Sequence, residues 1–137
     1  MTAIREGDND GNPNTVGDVT WLPSYTESPN ANNPAANVNT PPIPDYPSAH
    51  ASFGGAASEI LKLFFETDQI SIDQTSPTAP GITRRYSSLS QAAKDNSLSR
   101  IYVGFHFRYA ILNGETMGQD IAKYVFTHSF RETGEDD

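Results

Sequence analysis

Proline placement constrains this chain more than any other feature. Eight of its ten prolines fall within the first 47 of 137 residues. Each X-Pro step pushes the preceding residue out of helical dihedrals, and each proline removes an N–H donor. Asn12-Pro13, Asn32-Asn33-Pro34 and Thr40-Pro41-Pro42-Ile43-Pro44 therefore argue against any long regular element there. The same stretch holds eight of the ten asparagines and only six of the 27 Leu, Ile, Val and Phe residues. Residues 1–47 are expected to form an extended Pro/Asn-rich arm or loop, either wrapped over a partner surface or disordered. Trp21, Leu22 and Tyr25 are its expected points of attachment.

Charge is segregated in the same way. The net charge of −8 divides into −5 for residues 1–47, +1 for residues 48–131 and −4 for the acidic tail 132–137. Such a balance argues against nucleic acid or an anionic membrane as the default partner. Cysteine is absent, which excludes disulfides, thiolate metal sites and a cysteine nucleophile. No apolar run approaches the roughly 18 residues of a membrane span. The opening Met-Thr-Ala-Ile-Arg-Glu-Gly-Asp has neither the basic nor the apolar region of a signal peptide, and the compartment stays open.

Residues 48–131 carry helical periodicity. Ser48 can cap a first helix running to Phe65, with Phe53, Ala57, Ile60, Leu61 and Phe64 on one apolar face. Gly54-Gly55 weakens that helix and implies close approach of another backbone. Residues 66–87, with Ser76-Pro77 and Ala79-Pro80-Gly81, read as a connector. Ser87 or Ser88 can cap a second helix to about Val103, built on Leu89, Ala92, Ala93, Leu98, Ile101 and Tyr102 and ended by Gly104. A third helix is expected from about Asn113 to Phe130, with Met117, Ile121, Tyr124 and Val125 turned inward. Three helices and a long arm supply little apolar surface for a self-sufficient core.

Two short motifs carry chemistry. Pro47-Ser48-Ala49-His50 opens the first helix, where free N–H groups and the helix dipole favour an anion. Ser48 adds a hydroxyl and His50 a titratable ring; the plain alternative is a serine cap with a chance histidine. Ser99-Arg100-Ile101-Tyr102-Val103-Gly104-Phe105-His106 ends the second helix. Arg100 and His106 do not share a helix face, so they meet at one site only if the helix breaks at Gly104. An arginine fork suits a tetrahedral oxyanion, and a neutral imidazole nitrogen can attack phosphorus or bind a metal. The plain alternative is a surface arginine and a helix-end histidine.

Together the motifs resemble the second and third signatures, P-S-G-H and S-R-x3-G-x-H, of the vanadium-dependent haloperoxidase and type-2 phosphatidic acid phosphatase superfamily. The surrounding text, Thr2-Ala3-Ile4-Arg5, Asp8-Asn9-Asp10-Gly11-Asn12-Pro13, Thr40 to Pro47 and Ile101 to Arg108, resembles its bacterial haloperoxidase-like branch. The likeness runs from Thr2 to about Phe126. It implies an all-α helical bundle, present here in part, around a vanadate that phosphate can replace. By that resemblance His106 bonds vanadium or attacks phosphorus, and Arg100 grips the equatorial oxygens. Ser48 and the Ala49 N–H donate hydrogen bonds, and His50 is the acid–base group. Hydrogen peroxide and halide are the implied substrates; the alternative is a phosphomonoester hydrolysed through a phosphohistidine.

Three departures from the family pattern bear on this. Ala49 replaces glycine but keeps the N–H. Ala110 stands where phosphatase members have Asp four residues after the last histidine, which favours the haloperoxidase branch. The first signature, K-x6-R-P, and its two cations are absent. Charge-assisted bonds to a buried anion are worth about 1.5–3 kcal/mol each, so Arg100 alone is expected to hold the anion weakly. The chain is therefore expected to be the C-terminal half of a site, completed by an N-terminal half or a second copy, or else an inactive truncated homologue. Asp8 to Asn12 is similar to a calcium loop, yet Pro13 and Val19 occupy its required glycine and glutamate positions, which rejects an EF-hand.

Overall fold

The computed structural model describes residues 2–21, 23, 43–77 and 79–129. Leu22, Tyr25, most of the Pro/Asn-rich arm, Phe130 and the acidic tail lie outside the described residues. Six regular elements follow in order: α1 (Thr2–Arg5), α2 (Ala49–Phe65), β1 (Ile72–Ser76), β2 (Ala79–Tyr86), α3 (Leu89–Tyr102) and α4 (Arg108–His128). None of the described helices is long and apolar enough to cross a membrane.

The first residues of the arm are folded. After α1, a 3-10 turn over Gly7–Asn9 precedes a loop built from side-chain-to-backbone bonds. Asp8 Oδ1 accepts from Gly17 N at 3.0 Å, Asp10 Oδ1 from Asn12 N at 2.7 Å, and Asp18 Oδ1 from Thr20 N at 2.9 Å. Short Asx side chains mimic a backbone turn, so acids that resembled a calcium loop shape the chain instead. Arg5 Nε donates to the Trp21 carbonyl at 3.0 Å. The indole of Trp21 packs on Gly104, where a Cβ would fall 3.0 Å from Cζ2. Trp21 is thus an attachment point, as its sequence context predicted.

Helix α2 begins behind its Ser48 cap and ends at Phe65, as expected. Ser48 is its N-cap and accepts from Ala51 N through Oγ at 3.4 Å. Its buried face is Ala51, Gly55, Ser58 and Glu59, and not the predicted apolar stripe. Phe53 and Phe64 are 76% and 70% exposed. Helix α4 shows the same inversion. Ala110, Ile111, Gly114, Gly118 and Ala122 are buried, whereas Met117, Ile121 and Tyr124 point outward and Val125 is half-buried. Small residues at four-residue spacing let the two helix backbones touch, and that contact outranks side-chain size in choosing the face. A Cβ on Gly55 would run into the Glu115 backbone; one on Gly114 would fall 2.6 Å from the Ser48 carbonyl. Gly55 thus serves the close backbone approach expected of the pair, whereas Gly54 faces the Asn96 side chain.

Two further expectations are corrected. The connector contains an antiparallel hairpin, with Ile72 opposite Tyr86, Asp73 opposite Arg85 and Thr75 opposite Thr83. Ile72, Thr75, Ile82, Thr83 and Tyr86 suit a pleated surface, and the two nearby prolines hid that signal. Arg84 and Arg85 pair with Asp95 at 3.4 Å and Asp73 at 3.5 Å. Helix α4 starts at Arg108, about five residues earlier than expected. Its N-cap residue, Phe107, has no side-chain cap of its own, and its N–H donates to Asp45 Oδ1 at 3.1 Å. A partner 62 positions away leaves no local capping signal.

Helix α3 is capped from two directions. Ser88 Oγ accepts from Gln91 N at 3.1 Å, and Asp68 Oδ1 accepts from Ser90 N at 2.8 Å. Leu89 and Ala93 are buried as predicted, while Tyr102 is exposed.

Candidate functional site

Helix α3 ends through a tight turn that carries both residues of the third signature. Gly104 adopts φ +78°, a conformation side chains resist, and its close packing on Trp21 also excludes a Cβ. The Phe105 and His106 N–H groups both fold back to the Arg100 carbonyl, at 2.9 and 3.3 Å. The Arg100 guanidinium lies over the Phe105 ring, 4.8 Å from its centroid. The break at Gly104 therefore brings Arg100 and His106 to one region, which continuous helix would have prevented.

His106 is buried, and its Nδ1 contacts the Asp45 carbonyl at 2.8 Å and Asp45 Oδ1 at 3.1 Å. A backbone carbonyl only accepts, so Nδ1 carries a proton, and the neutral ring of that tautomer has its lone pair on Nε2. Asp45 Oδ1 also receives the Phe107 N–H at 3.1 Å, and its buried Oδ2 has no hydrogen-bond partner among the described residues. Burial pushes the Asp45 carboxyl up, but the nearby Tyr109 hydroxyl and the bonds from Phe107 and His106 outweigh it and hold its pKa below the ordinary value.

The Pro47-Ser48-Ala49-His50 segment meets this turn from the other side. Ser48 is fully buried, and its N–H donates to the Ala110 carbonyl at 3.1 Å, which ties the α2 N-terminus to the first turn of α4. Ala49 is exposed at the first position of α2. Asn96 of α3 donates to the His50 carbonyl at 3.1 Å. The His50 imidazole has its pKa lowered, chiefly by desolvation and then by the positive charge of Arg100, against the Asn96 side chain, with a smaller electrostatic influence from His106. Those influences place His50, Arg100 and His106 within electrostatic reach of one another.

All five sequence-selected residues, Ser48, Ala49, His50, Arg100 and His106, thus lie along the α2 N-terminus and the α3–α4 turn. Asp45, Asn96 and Tyr109 were missed. Asp45 stands three residues before Ser48 in the quoted proline run, and that proximity was its only available signal. His128, outside the site, stacks on Tyr124 at 4.1 Å.

The sequence model of the VCPO second helical-bundle domain matches residues 1–134. The chain belongs to that family. It is 29% identical over 149 aligned positions to a vanadium chloroperoxidase of Curvularia inaequalis, covering 80% of this chain and 23% of that protein. It also resembles the crystal structure described as the first bacterial vanadium-dependent iodoperoxidase, with a TM-score of 0.59 and 38% identity over 65% of this chain and 22% of that one. This VCPO second-bundle chain therefore spans about a quarter of the length of either relative. Its small-residue α2–α4 contact and its mostly helical architecture agree with a helical-bundle domain; among the described residues the hairpin is the one addition to the all-α expectation.

Proposed function

We propose that this chain supplies the histidine side of a vanadate site, and that the protein it serves oxidises halide with hydrogen peroxide. The observation that carries the reading is the Nδ1 bond of His106 to the Asp45 carbonyl, which in the neutral ring directs the lone pair to Nε2. Similarity to a chloroperoxidase and to an iodoperoxidase supports the halide chemistry.

The donor set fits an oxyanion. Among the described residues no three His, Cys, Asp or Glu side chains gather as a bare cation would require. One imidazole lone pair, one guanidinium, one buried hydroxyl and helix N–H groups instead suit a group with its own negative oxygens. His106 would bond the vanadium, Arg100 would bind oxygens through its fork, and Ser48 and the Ala49 N–H would donate hydrogen bonds. Vanadate, when bound, activates peroxide toward nucleophilic halide. His50, kept neutral by its surroundings, is suited to take a proton from peroxide and return one to the departing oxygen.

Iodide or bromide oxidation by the full chain, measured with vanadate and peroxide each withheld in turn, tests the proposal. Halide oxidation that needs both supports it. Phosphomonoester hydrolysis inhibited by vanadate would replace it with phosphatase chemistry through His106. Absence of both activities, with vanadate still bound, would reduce the chain to a binding module.

A further inference from the structure

We propose that Asp45 is the positioning residue of His106: from the loop that leads into Ser48, it fixes the imidazole with its proton on Nδ1 and its lone pair on Nε2. The proposal deepens the oxyanion reading and rests on it for the role of His106 as donor.

Three contacts converge on Asp45. Its carbonyl and its Oδ1 both take the Nδ1 proton of His106, at 2.8 and 3.1 Å. Oδ1 also takes the Phe107 N–H at 3.1 Å. One residue therefore holds both the ring of His106 and the backbone at the start of α4. A carboxylate at that helix N-terminus also faces the positive end of the α4 dipole. Its ring partner, His106, is 5% exposed, so water competes little for the Nδ1 proton.

The obvious local alternative is closed. Ala110, one turn beyond His106, is fully buried, and its carbonyl accepts the Ser48 N–H at 3.1 Å. A carboxylate at 110 would be buried at the junction of α2 and α4, at the cost of its hydration. The orienting oxygen arrives instead from residue 45, on the same short segment that places Ser48. Anion donors and the imidazole are thereby set by one loop, so a shift in either reaches the other. Second-shell partners of this kind fix tautomer and ring angle, and their loss commonly weakens binding about tenfold to a hundredfold.

Imidazole 15N and proton NMR of the full chain, read with vanadate titrations, tests this. In the wild type His106 should show a protected Nδ1 proton and an unprotonated Nε2. Asp45→Ala keeps the backbone carbonyl but removes Oδ1, so it should speed exchange of the Nδ1 proton and weaken vanadate binding about tenfold to a hundredfold. Asp45→Asn keeps an accepting oxygen and should restore slow exchange and most of the affinity, which a generic packing defect would not allow. Should Asp45→Ala fail to fold, Asp45→Glu decides, because the longer side chain withdraws Oδ1 from its place and should also speed exchange of the Nδ1 proton. A wild-type proton on Nε2 alone, or wild-type exchange in Asp45→Ala or Asp45→Glu, would each overturn the proposal. If the wild type binds no vanadate, the oxyanion reading fails, and the tautomer still decides the part played by Asp45.

Discussion

Gly118 of α4 lies against the backbone of Ser52 in α2. A Cβ at 118 would collide with the Ser52 carbonyl and stand 2.9 Å from Ala56 N. Neither atom belongs to a side chain that can swing away, so the helices themselves would have to part. Gly54 differs, because a Cβ there meets the end of the flexible Asn96 side chain. Alanine gains about 1 kcal/mol of helix propensity over glycine, while overpacking costs about 1–3 kcal/mol or more. Gly118→Ala should therefore lower the urea midpoint by the equivalent of about 1–2 kcal/mol, and Gly54→Ala should leave it nearly unchanged. Equal midpoints for the two variants would contradict the close α2–α4 contact.

Ser48 and Ser88 are both helix N-caps, yet only Ser48 borders the candidate site. Replacing either with alanine should cost about 1 kcal/mol of stability. Calorimetric titration with vanadate should separate them: Ser48→Ala should bind more weakly, and Ser88→Ala should match the wild type. Identical affinities in the two variants would leave Ser48 as a cap and nothing more.

Arg100 should contribute one charge-assisted interaction to a bound oxyanion, worth about 1.5–3 kcal/mol. Arg100→Ala should accordingly raise the vanadate Kd by about 10-fold to 150-fold. Arg100→Lys, which keeps charge but loses the fork, should fall between. Wild-type affinity in Arg100→Ala would remove this residue from the site.

His50 gives a pH signature of known sign. Its pKa is lowered from 6.5 in the folded chain, first by desolvation and then by Arg100 and His106. The unfolded chain therefore binds this proton more readily, and stability falls as pH drops below about 6.5 toward the folded value. Above that range the group contributes no slope. His50→Gln should flatten the slope, and Arg100→Ala should move the His50 titration back toward its ordinary value. An NMR titration of His50 that ignores the loss of Arg100 would sever the electrostatic link between the two signatures.

The sequence foretold the placement of the candidate residues better than the packing. Ser48, the break at Gly104 and the α2 and α3 boundaries follow from local rules of capping and left-handed backbone, which short motifs record directly. The buried faces of α2 and α4 did not follow, because apolar size pointed to Phe53, Phe64, Ile121 and Tyr124 while backbone contact selected Ala51, Gly55, Gly114 and Gly118. Helices apolar on one face and small on the other bury both only in a larger bundle, which accords with relatives of whose length this chain covers under a quarter. Asp45 was invisible for a different reason. Its partners, His106 and Phe107, lie 61 and 62 positions away, and no periodicity reports a contact of that span.

The central claim is that Nε2 of His106 is the atom this chain offers to an oxyanion. Titrating vanadate into the 15N-histidine-labelled full chain reads that atom directly, with His50 and His128 as internal references. Saturation should shift His106 Nε2 most, shift His50 less and leave His128 in place. An unmoved His106 Nε2 at saturating vanadate would contradict the account.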